Sequence, residues 1–263
     1  MLTARSRPEV WVALAGVIPY RDARRAQKLL EAARLAGEVP DLLLLLEHPP
    51  VYTRGRRATA EDLPMGTHWY RGHGIDVCDT DRGGRVTYHG PGQLVGYPIV
   101  SLRPYGDDVH AYIRRLERTM IAAMADWGVD AGTIPGLTGV WTKPATPGAR
   151  HSEATSLLAP EAKKIGSIGV HVNRGVTTHG FAINVNNALE PFEWIVPCGI
   201  ESCRMTSLAS ELGAEQDLGE FATAVRDRFG EVYDRLPVEV SLGDLAERVT
   251  GLESLLGVSA ALR

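Results

Sequence analysis

The sequence predicts an α+β fold in which a mixed or antiparallel sheet packs with helices. Strand-like segments arrive in groups, and helix-like segments lie between these groups instead of after every strand, which is typical of α+β domains. The chain has 263 residues, of which 44% are hydrophobic and 23% are charged. This length and composition suit one large core or two small ones, and they exclude a disordered or fibrous protein.

The first half of the chain is predicted to begin with a strand and a helix. The apolar residues of segment 20–35 recur at helical spacing. Segment 41–47 has five consecutive leucines and no polar face, which predicts a strand buried on both sides in the middle of the sheet. The arginine-rich segment 54–57 is interpreted as a loop. Further strands are expected at residues 10–14, 75–78, 85–88 and 94–100.

The second half contains the strongest helix pattern, because segment 107–127 carries a one-sided apolar stripe of period 3.6. Asp107 is the expected N-cap, and Gly128 follows the last turn. The stretch 144–160, rich in proline, alanine and serine, is interpreted as an inserted loop. We expect strands at residues 139–143, 164–172 and 177–185, and helices at residues 218–233 and 245–256.

Charge, hydropathy and cysteine content exclude several classes of protein. The 28 Lys and Arg residues against 32 Asp and Glu residues give a net charge of −4, which does not indicate a nucleic-acid binder. The apolar runs are far shorter than the roughly 20 residues of a membrane-spanning helix, and we expect a cytoplasmic protein. Three cysteines at spacings that match no zinc motif argue against disulfides and a structural metal.

A glycine-rich block at residues 82–93 is the first candidate for a functional site. Four glycines and a proline surround a short strand that carries two arginines and a histidine. Glycine lets a backbone approach a ligand closely and offers N–H groups without an intervening side chain. The block matches neither a P-loop nor a dinucleotide fingerprint. It is interpreted either as a ligand-binding segment or as a tight hairpin.

Cys198 and Lys164 are the second candidate. Cys198 lies between a proline and a glycine in a predicted loop, and Lys164 begins a strand rich in glycine and serine. A nearby ammonium favours the thiolate, and a lysine partly removed from water can itself act as a base. The two residues can therefore serve as nucleophile and base. Taken separately, Cys198 is better interpreted as an inert small apolar residue, and Lys164 as a solvated charge at a strand end.

The remaining histidines and cysteines of interest have weaker patterns. His89 and His179 each precede a glycine, so each is interpreted as a catalytic group or as a histidine that is hydrogen-bonded within a loop. Cys78 lies inside an apolar strand and is expected to be buried and structural. Cys203 has no flanking turn residues to hold it rigidly, and we treat it as non-catalytic.

Four blocks, at residues 82–98, 164–169, 178–185 and 197–199, closely resemble in order and spacing the octanoyltransferases of lipoate biosynthesis, also called lipoate-protein ligase B. The resemblance extends from the first strand to Leu212. It implies a fold shared with the catalytic domains of biotin-protein ligase and lipoate ligase. We therefore divide the chain into a catalytic domain at residues 1–212 and a helical C-terminal extension at residues 213–263, packed on the same domain.

The resemblance also implies an activity and its residues. An octanoyl group is expected to pass from octanoyl-acyl carrier protein to a specific lysine of lipoyl domains, in 2-oxoacid dehydrogenase complexes and in the glycine cleavage H protein. Cys198 would carry the acyl group as a thioester, and Lys164 would activate it. No cofactor is expected, because a thioester donor is already activated. The implied substrate-binding residues are Arg82, Gly83, Gly84, Arg85, Val86, Thr87, Tyr88, His89, Ser167, Ile168, Gly169, His179, Gly180, Phe181 and Ala182.

Two further interpretations concern partners and competing functions. Arg54, Arg56, Arg57, Arg82 and Arg85 are interpreted as a docking patch for an acidic carrier protein, or else as a solvated arginine loop. An ATP-dependent lipoate or biotin ligase of the same fold is the main alternative function, followed by a non-catalytic scaffold that binds acyl carriers and by a thioesterase-like hydrolase. The pairing of a Pro-Cys-Gly loop with a lysine favours transfer over ligation.

Overall fold

The computed structural model describes residues 7–142, 162–196 and 203–257. Within these ranges the chain forms two sheets and six α-helices, which confirms the predicted α+β class. The strands are β1 (Glu9–Val17), β2 (Asp41–Glu47), β3 (Val51–Arg54), β4 (Asp76–Asp79), β5 (Val86–His89), β6 (Gln93–Ile99), β7 (Ala131–Ile134), β8 (Leu137–Thr142), β9 (Lys163–Asn173), β10 (Val176–Asn184) and β11 (Leu236–Glu239). The helices are α1 (Tyr20–Ala36), α2 (Thr67–Gly72), α3 (Val109–Asp126), α4 (Leu208–Leu212), α5 (Leu218–Tyr233) and α6 (Leu242–Arg248).

The larger sheet has eight strands in the order β11-β1-β2-β6-β10-β9-β8-β7. β1 runs parallel to β2 and to β11, and the remaining pairings are antiparallel. The five leucines of β2 are at most 2% exposed, between β1 and β6. The interpretation of this segment as a strand buried on both sides is therefore confirmed.

Two apolar cores cover the two faces of this sheet. Leu43 and Leu45 of β2 face the core formed with α3 and α5, whereas Leu42 and Leu44 face the core formed with α1 and α6. The alternation follows from the two-residue period of a strand. Because α5 packs on α3 within the first core, its apolar side chains, such as Phe229, are fully buried.

The smaller sheet has three strands in the order β4-β3-β5. β5 pairs with β3, whereas β6 belongs to the larger sheet, so the segment at residues 82–93 is not a hairpin. The chain instead crosses from one sheet to the other at residues 90–92. Gly92 has a φ of +84°, and a Cβ atom there would lie 2.8 Å from the backbone nitrogen of Asn187. This close approach requires glycine.

Several element boundaries differ from the sequence predictions. The N-cap of α3 is Asp108 and not Asp107, since the Asp108 carboxylate accepts the N–H groups of His110 and Ala111 at 2.8 and 3.0 Å. The last helix was predicted at residues 245–256 but is found at Leu242–Arg248. A capping box between Ser241 and Asp244 begins this helix earlier than the apolar pattern suggested.

Five elements were not predicted, namely α2, α4, β3, β7 and β11. Arg54 ends β3 and so lies in a strand, whereas the sequence had suggested a loop. The C-terminal segment contributes β11 to the sheet edge beside β1, in addition to its helices. The expected inserted loop at residues 144–160 lies outside the described residues. In the described part of the chain, no helix is both long and apolar enough to span a membrane.

Candidate active site

A pocket of about 200 Å³ lies where the face of the large sheet meets β5 and the segment that precedes it. Of the substrate-binding residues implied by the resemblance, all except Gly83 and Tyr88 line it, and Lys164 lines it too. Those lining it are Arg82, Gly84, Arg85, Val86, Thr87, His89, Ser167, Ile168, Gly169, His179, Gly180, Phe181 and Ala182. The fold therefore brings three separate blocks of the sequence to one cavity.

The floor of the pocket is made of small residues on β9 and β10. Gly169 pairs with Gly180 across the two strands, and Ser167 pairs with Ala182. A Cβ atom at Gly180 would overlap the carbonyl oxygen of Gly96, and one at Gly169 would lie 3.0 Å from Cδ of Arg82. These glycines keep the sheet surface flat, so the space above it stays available to a ligand.

The loop at residues 82–84 forms the rim of the pocket and is fastened to both sheets. The backbone N–H of Gly83 donates to the carbonyl of Val170 on β9 at 2.9 Å. Arg82 is 7% exposed, and its Nη2 donates to the carbonyl and to Oγ1 of Thr53 on β3, at 2.6 and 2.8 Å. Gly83 thus acts through its backbone, while Tyr88 is buried in the small-sheet core against Phe192.

The predicted docking patch is only partly present as a surface. Arg82 is buried, as described above, Arg54 pairs with Asp79 at 2.7 Å, and Arg85 pairs with the buried Asp62 at 2.8 Å. Arg56 and Arg57 are exposed. The prediction that all five arginines form one docking patch is therefore wrong, because three of them bind groups of the same chain.

Lys164 is 3% exposed, which excludes its interpretation as a solvated charge. Its backbone N–H donates to the carbonyl of Arg204 at 2.8 Å, and its carbonyl accepts the N–H of Thr206 at 2.9 Å. Its Nζ lies 5.4 Å from the ring centroid of Trp141, a distance typical of a cation–π contact. The backbone bonds to the 204–206 segment fix the start of β9, and with it the lysine side chain at the pocket.

Cys198, the predicted nucleophile, lies outside the described residues, as do its neighbours Pro197 and Gly199. The two other cysteines are described. Cys78 is 3% exposed in β4, and burial raises the pKa of its thiol to about 11, in agreement with the structural role expected for it. Cys203 is half-buried, with its sulfur 3.9 Å from that of Met205.

His179 is held by a carboxylate that the sequence analysis missed. Its Nε2 lies 2.9 Å from Oδ1 of Asp81, whose other oxygen accepts from Nζ of Lys28 at 3.1 Å. This hydrogen bond to His179 holds the pKa of Asp81 well below its usual range, while burial lowers the pKa of His179. An ionised carboxylate only accepts hydrogen bonds, so Nε2 of His179 carries the proton that faces Asp81, and burial disfavours a second proton on the ring. Only the position of Asp81, directly before Arg82, could have suggested it.

His179 also adopts a φ of +56°, a strained conformation for a residue other than glycine. Its backbone N–H donates to Oε1 of Gln27 on α1 at 2.6 Å. Its Nδ1 is buried and has no hydrogen-bond partner among the described residues. The strained backbone and the two fixed hydrogen bonds hold the ring in one orientation at the pocket wall.

His89 lines the pocket and belongs to a second neutral cluster. Its Nδ1 lies 2.7 Å from Oε1 of Gln93, and burial lowers its pKa well below the usual value. His48, which sequence reasoning missed, lies between the carbonyl of Ile18 and the hydroxyl of Tyr97, at 2.6 Å from each. Burial lowers the pKa of His48 to about 4, so this cluster carries no charge at neutral pH.

The described residues contain no group of three or more His, Cys, Asp or Glu side chains placed to hold a metal ion. The arrangement instead combines a buried lysine, a glycine floor and buried imidazoles around one cavity. Such a site can hold an uncharged chain and move a proton at Lys164.

Comparison with known proteins places this chain in a family. A model of the lipoyl protein ligase A/B catalytic domain matches residues 19–230. The octanoyltransferase of Acidothermus cellulolyticus is 45% identical over 232 residues, covering 86% of this chain and 96% of that protein. The octanoyltransferase of Myxococcus xanthus is 44% identical over 219 residues, covering 83% of this chain and 58% of that protein.

A solved structure supports the same fold. The bi-partite lipoate protein ligase of Thermoplasma acidophilum superposes with a TM-score of 0.68 at 16% identity, over 95% of this chain and 91% of that one. The chain belongs to the lipoyl protein ligase A/B catalytic-domain family. It is an acyltransferase, and the resemblance to octanoyltransferases of lipoate biosynthesis is confirmed.

Proposed function

We propose that this enzyme transfers an octanoyl group from octanoyl-acyl carrier protein to a specific lysine of lipoyl domains, through a thioester on Cys198. The observation that carries the proposal is the buried side-chain nitrogen of Lys164 in the wall of the pocket. The names of the relatives support octanoyl as the group transferred. The lipoyl domain in the Thermoplasma lipoylation system supports the choice of acceptor.

In the first half-reaction, Lys164 as the free amine takes the proton of the Cys198 thiol. The thiolate attacks the carbonyl carbon of the donor thioester, and the carbon–sulfur bond to the carrier breaks. The carrier leaves as a thiol after taking the proton back from the Lys164 ammonium. One thioester replaces another, so the step is nearly balanced in free energy and needs no ATP.

In the second half-reaction, the ε-amine of the acceptor lysine attacks the Cys198 thioester. A lysine side chain in water has a pKa of about 10.4, so it loses one proton to solvent to become the attacking amine, and it loses a second proton as the amide forms. Lys164 accepts this second proton and returns it to the Cys198 thiolate as the carbon–sulfur bond breaks. The same base therefore serves both steps, and the product is an octanoyl amide.

The walls of the pocket suit the alkyl chain. Val86, Val95 and Ile168 contribute apolar side chains, and the glycines of β9 and β10 leave room beside the sheet. The histidines of the wall are neutral, so an uncharged chain displaces no ionic solvation there.

Intact-protein mass spectrometry tests the proposal. The chain is incubated with octanoyl-acyl carrier protein without ATP or metal, alongside Cys198→Ser, Lys164→Ala and the matched control Cys203→Ser. We expect one octanoyl adduct on the native chain and on Cys203→Ser, none on Cys198→Ser, and discharge by an apo lipoyl domain. The absence of an adduct on the native chain, together with octanoylation that requires ATP, would instead identify a ligase.

A further inference from the structure

A tyrosine forms the wall between the pocket and a second cavity. This second cavity has a volume of about 530 Å³ and is lined by the first half of α1 and the end of β4. Of the residues that the structure describes, Tyr20 alone lines both cavities. Tyr20 is the first residue of α1 and is 5% exposed. The ring of Tyr20 therefore separates the two spaces.

Tyr20 lies at the end of the pocket that is remote from Lys164. Its ring stacks on that of His89, with centroids 6.1 Å apart, and lies edge-on to His48 at 5.3 Å. His48 is hydrogen-bonded to the hydroxyl of Tyr97 on β6, which is two strands away from β9 in the sheet. The backbones of Tyr97 and Lys164 are therefore at least about 10 Å apart. An acyl chain with its carbonyl at Lys164 extends toward Tyr20 as it fills the pocket.

The ring of Tyr20 is held in place from several sides. It packs with Val51 and Cys78 in a small apolar cluster. His89 covers its face and His48 covers its edge, and His48 is itself bonded through both ring nitrogens. Because buried side chains in such packing have little freedom to move, the ring acts as a rigid stop at the end of the pocket.

The volume of the pocket matches an acyl chain of moderate length. A cavity of about 150 Å³ holds benzene, which has six carbons. On that scale, the volume of about 200 Å³ found here holds about eight carbons. A longer chain would have to displace the ring of Tyr20 or leave part of its length in water.

The second cavity has room for a longer chain once the ring is removed. Leu29 contributes apolar surface there, and arginine and lysine side chains can cover an alkyl chain with their methylene groups while their charged ends stay in water. The side chains of Arg21 and Arg25 are indeed largely exposed. The barrier to a longer chain is therefore the ring of Tyr20, and not a lack of space behind it.

We propose that Tyr20 is a specificity-determining residue that limits the acyl chain to about eight carbons. Its ring closes the pocket opposite Lys164 and keeps the chain out of the second cavity. The inference rests on the proposed function, because it takes this pocket as the site of the acyl chain.

Calorimetric binding of N-methyl amides of straight-chain fatty acids to the full chain tests the inference. These amides resemble the proposed product and do not react. Each methylene group that leaves water should strengthen binding about fourfold. In the native chain, affinity should rise up to the octanoyl amide and rise no further with the decanoyl and dodecanoyl amides. In Tyr20→Ala, the decanoyl amide should bind about tenfold more tightly than the octanoyl amide.

Matched variants separate the effect of the ring from other effects. Tyr20→Phe keeps the ring and should keep the native limit. Leu29→Ala enlarges the second cavity alone and should keep the limit too. Tyr20→Leu retains a side chain in the wall and should also accept the decanoyl amide. Because truncation of a buried ring destabilises a fold, Tyr20→Leu provides the test where Tyr20→Ala does not fold.

The outcomes distinguish this inference from the proposed function. A limit that stays at the octanoyl amide in folded Tyr20→Leu, or a native chain that binds none of the amides or shows no limit, overturns the inference. The same variants are also incubated with octanoyl-acyl carrier protein and followed by mass spectrometry. Acylation of the native chain with an unchanged limit overturns the inference alone. A limit that follows Tyr20 in a chain that is never acylated overturns the proposed function alone.

Discussion

The two ends of the pocket differ in the ionisable groups that line them. Lys164 is the second residue of β9, and His179 pairs with Val170 on the same strand, so their backbones are about 20 Å apart. At the first end, the Nζ of the buried Lys164 lies 5.4 Å from the ring centroid of Trp141, and its side chain rests against Gly139. At the second end, imidazoles are neutral and bound to fixed partners. The Lys164 end can transfer a proton, whereas the histidines at the other end are held in one protonation state by their hydrogen bonds.

This difference explains why residues of one type have different roles along one cavity. Asp81 and Glu117 are both carboxylates missed by sequence reasoning, yet Asp81 binds the ring of His179 while Glu117 accepts the backbone N–H of Gly139 beside Lys164. An uncharged acyl chain suits apolar side chains and uncharged imidazoles, and a reacting thioester needs a base. Substitutions at the two ends should therefore give different phenotypes.

The largest effect is expected at the proton-transfer end. Lys164→Ala should reduce the rate of transfer by roughly 10²- to 10⁴-fold, the usual contribution of general acid–base catalysis. Steady-state kinetics with octanoyl-acyl carrier protein measure it, and circular dichroism checks that the variant is folded. A loss of less than fivefold in a folded variant would show that this end does not carry the chemistry.

Gly139→Ala should act on the same end through geometry. Its methyl group would collide with Cε of Lys164 and with the carbonyl oxygen of Gly166, and its φ of +121° disfavours any side chain. We expect a loss of about 1–3 kcal/mol in stability and a loss of activity of at least tenfold. Gly128→Ala is the matched control, because its φ is also positive but no atom lies within 4 Å of the added Cβ. It should lose stability and keep its activity.

Asp81→Asn should affect mainly stability. Hydrogen bonding to His179 lowers the pKa of Asp81 below its unfolded value. The contribution of Asp81 to the free energy of unfolding is therefore fully present above about pH 4, and it is lost as the pH falls through the depressed pKa of the folded state. We expect the variant to be about 2 kcal/mol less stable at pH 7, with the difference shrinking only below pH 4. Urea denaturation at pH 7 and below pH 4 measures the difference in stability between the variant and the native chain. A difference that vanished already at pH 6 would contradict the lowered pKa of Asp81.

The smallest effect is expected at the exposed rim. Arg56→Ala should raise the KM for the carrier protein about two- to fivefold at low salt and leave kcat unchanged, because an exposed charge contributes to encounter and not to chemistry. Kinetics at two ionic strengths measure it. A KM that depends on neither the arginine nor salt would exclude electrostatic docking at this position.

Long periodic segments were predictable from the sequence, and short strands were not. α1, α5 and β2 carry their own apolar patterns and were placed within a residue or two. β3 and β11 have four residues each and are defined by their neighbours, β4, β5 and β1. Such strands exist because a partner strand lies beside them, which a local pattern does not reveal.

The residues of the pocket were likewise predictable only where a local sequence pattern marks them. Glycine blocks and Lys164 were recognisable because their residue types are unusual where they occur. Glu117, Gln27 and His48 were not recognisable, because each acts through a contact with a distant part of the chain. A glutamate on a helix predicts a solvated face, and only the packing of α3 under β8 shows otherwise.

The most direct test of the central claim is a single-turnover chase. The chain is first acylated by octanoyl-acyl carrier protein, separated from the donor, and then mixed with an apo lipoyl domain without ATP. The account predicts an octanoyl thioester mapped to Cys198 that disappears at the rate at which the lipoyl domain gains the same mass. Transfer to the lipoyl domain without any acyl-enzyme, or an adduct at Cys203 that alone discharges, would contradict it.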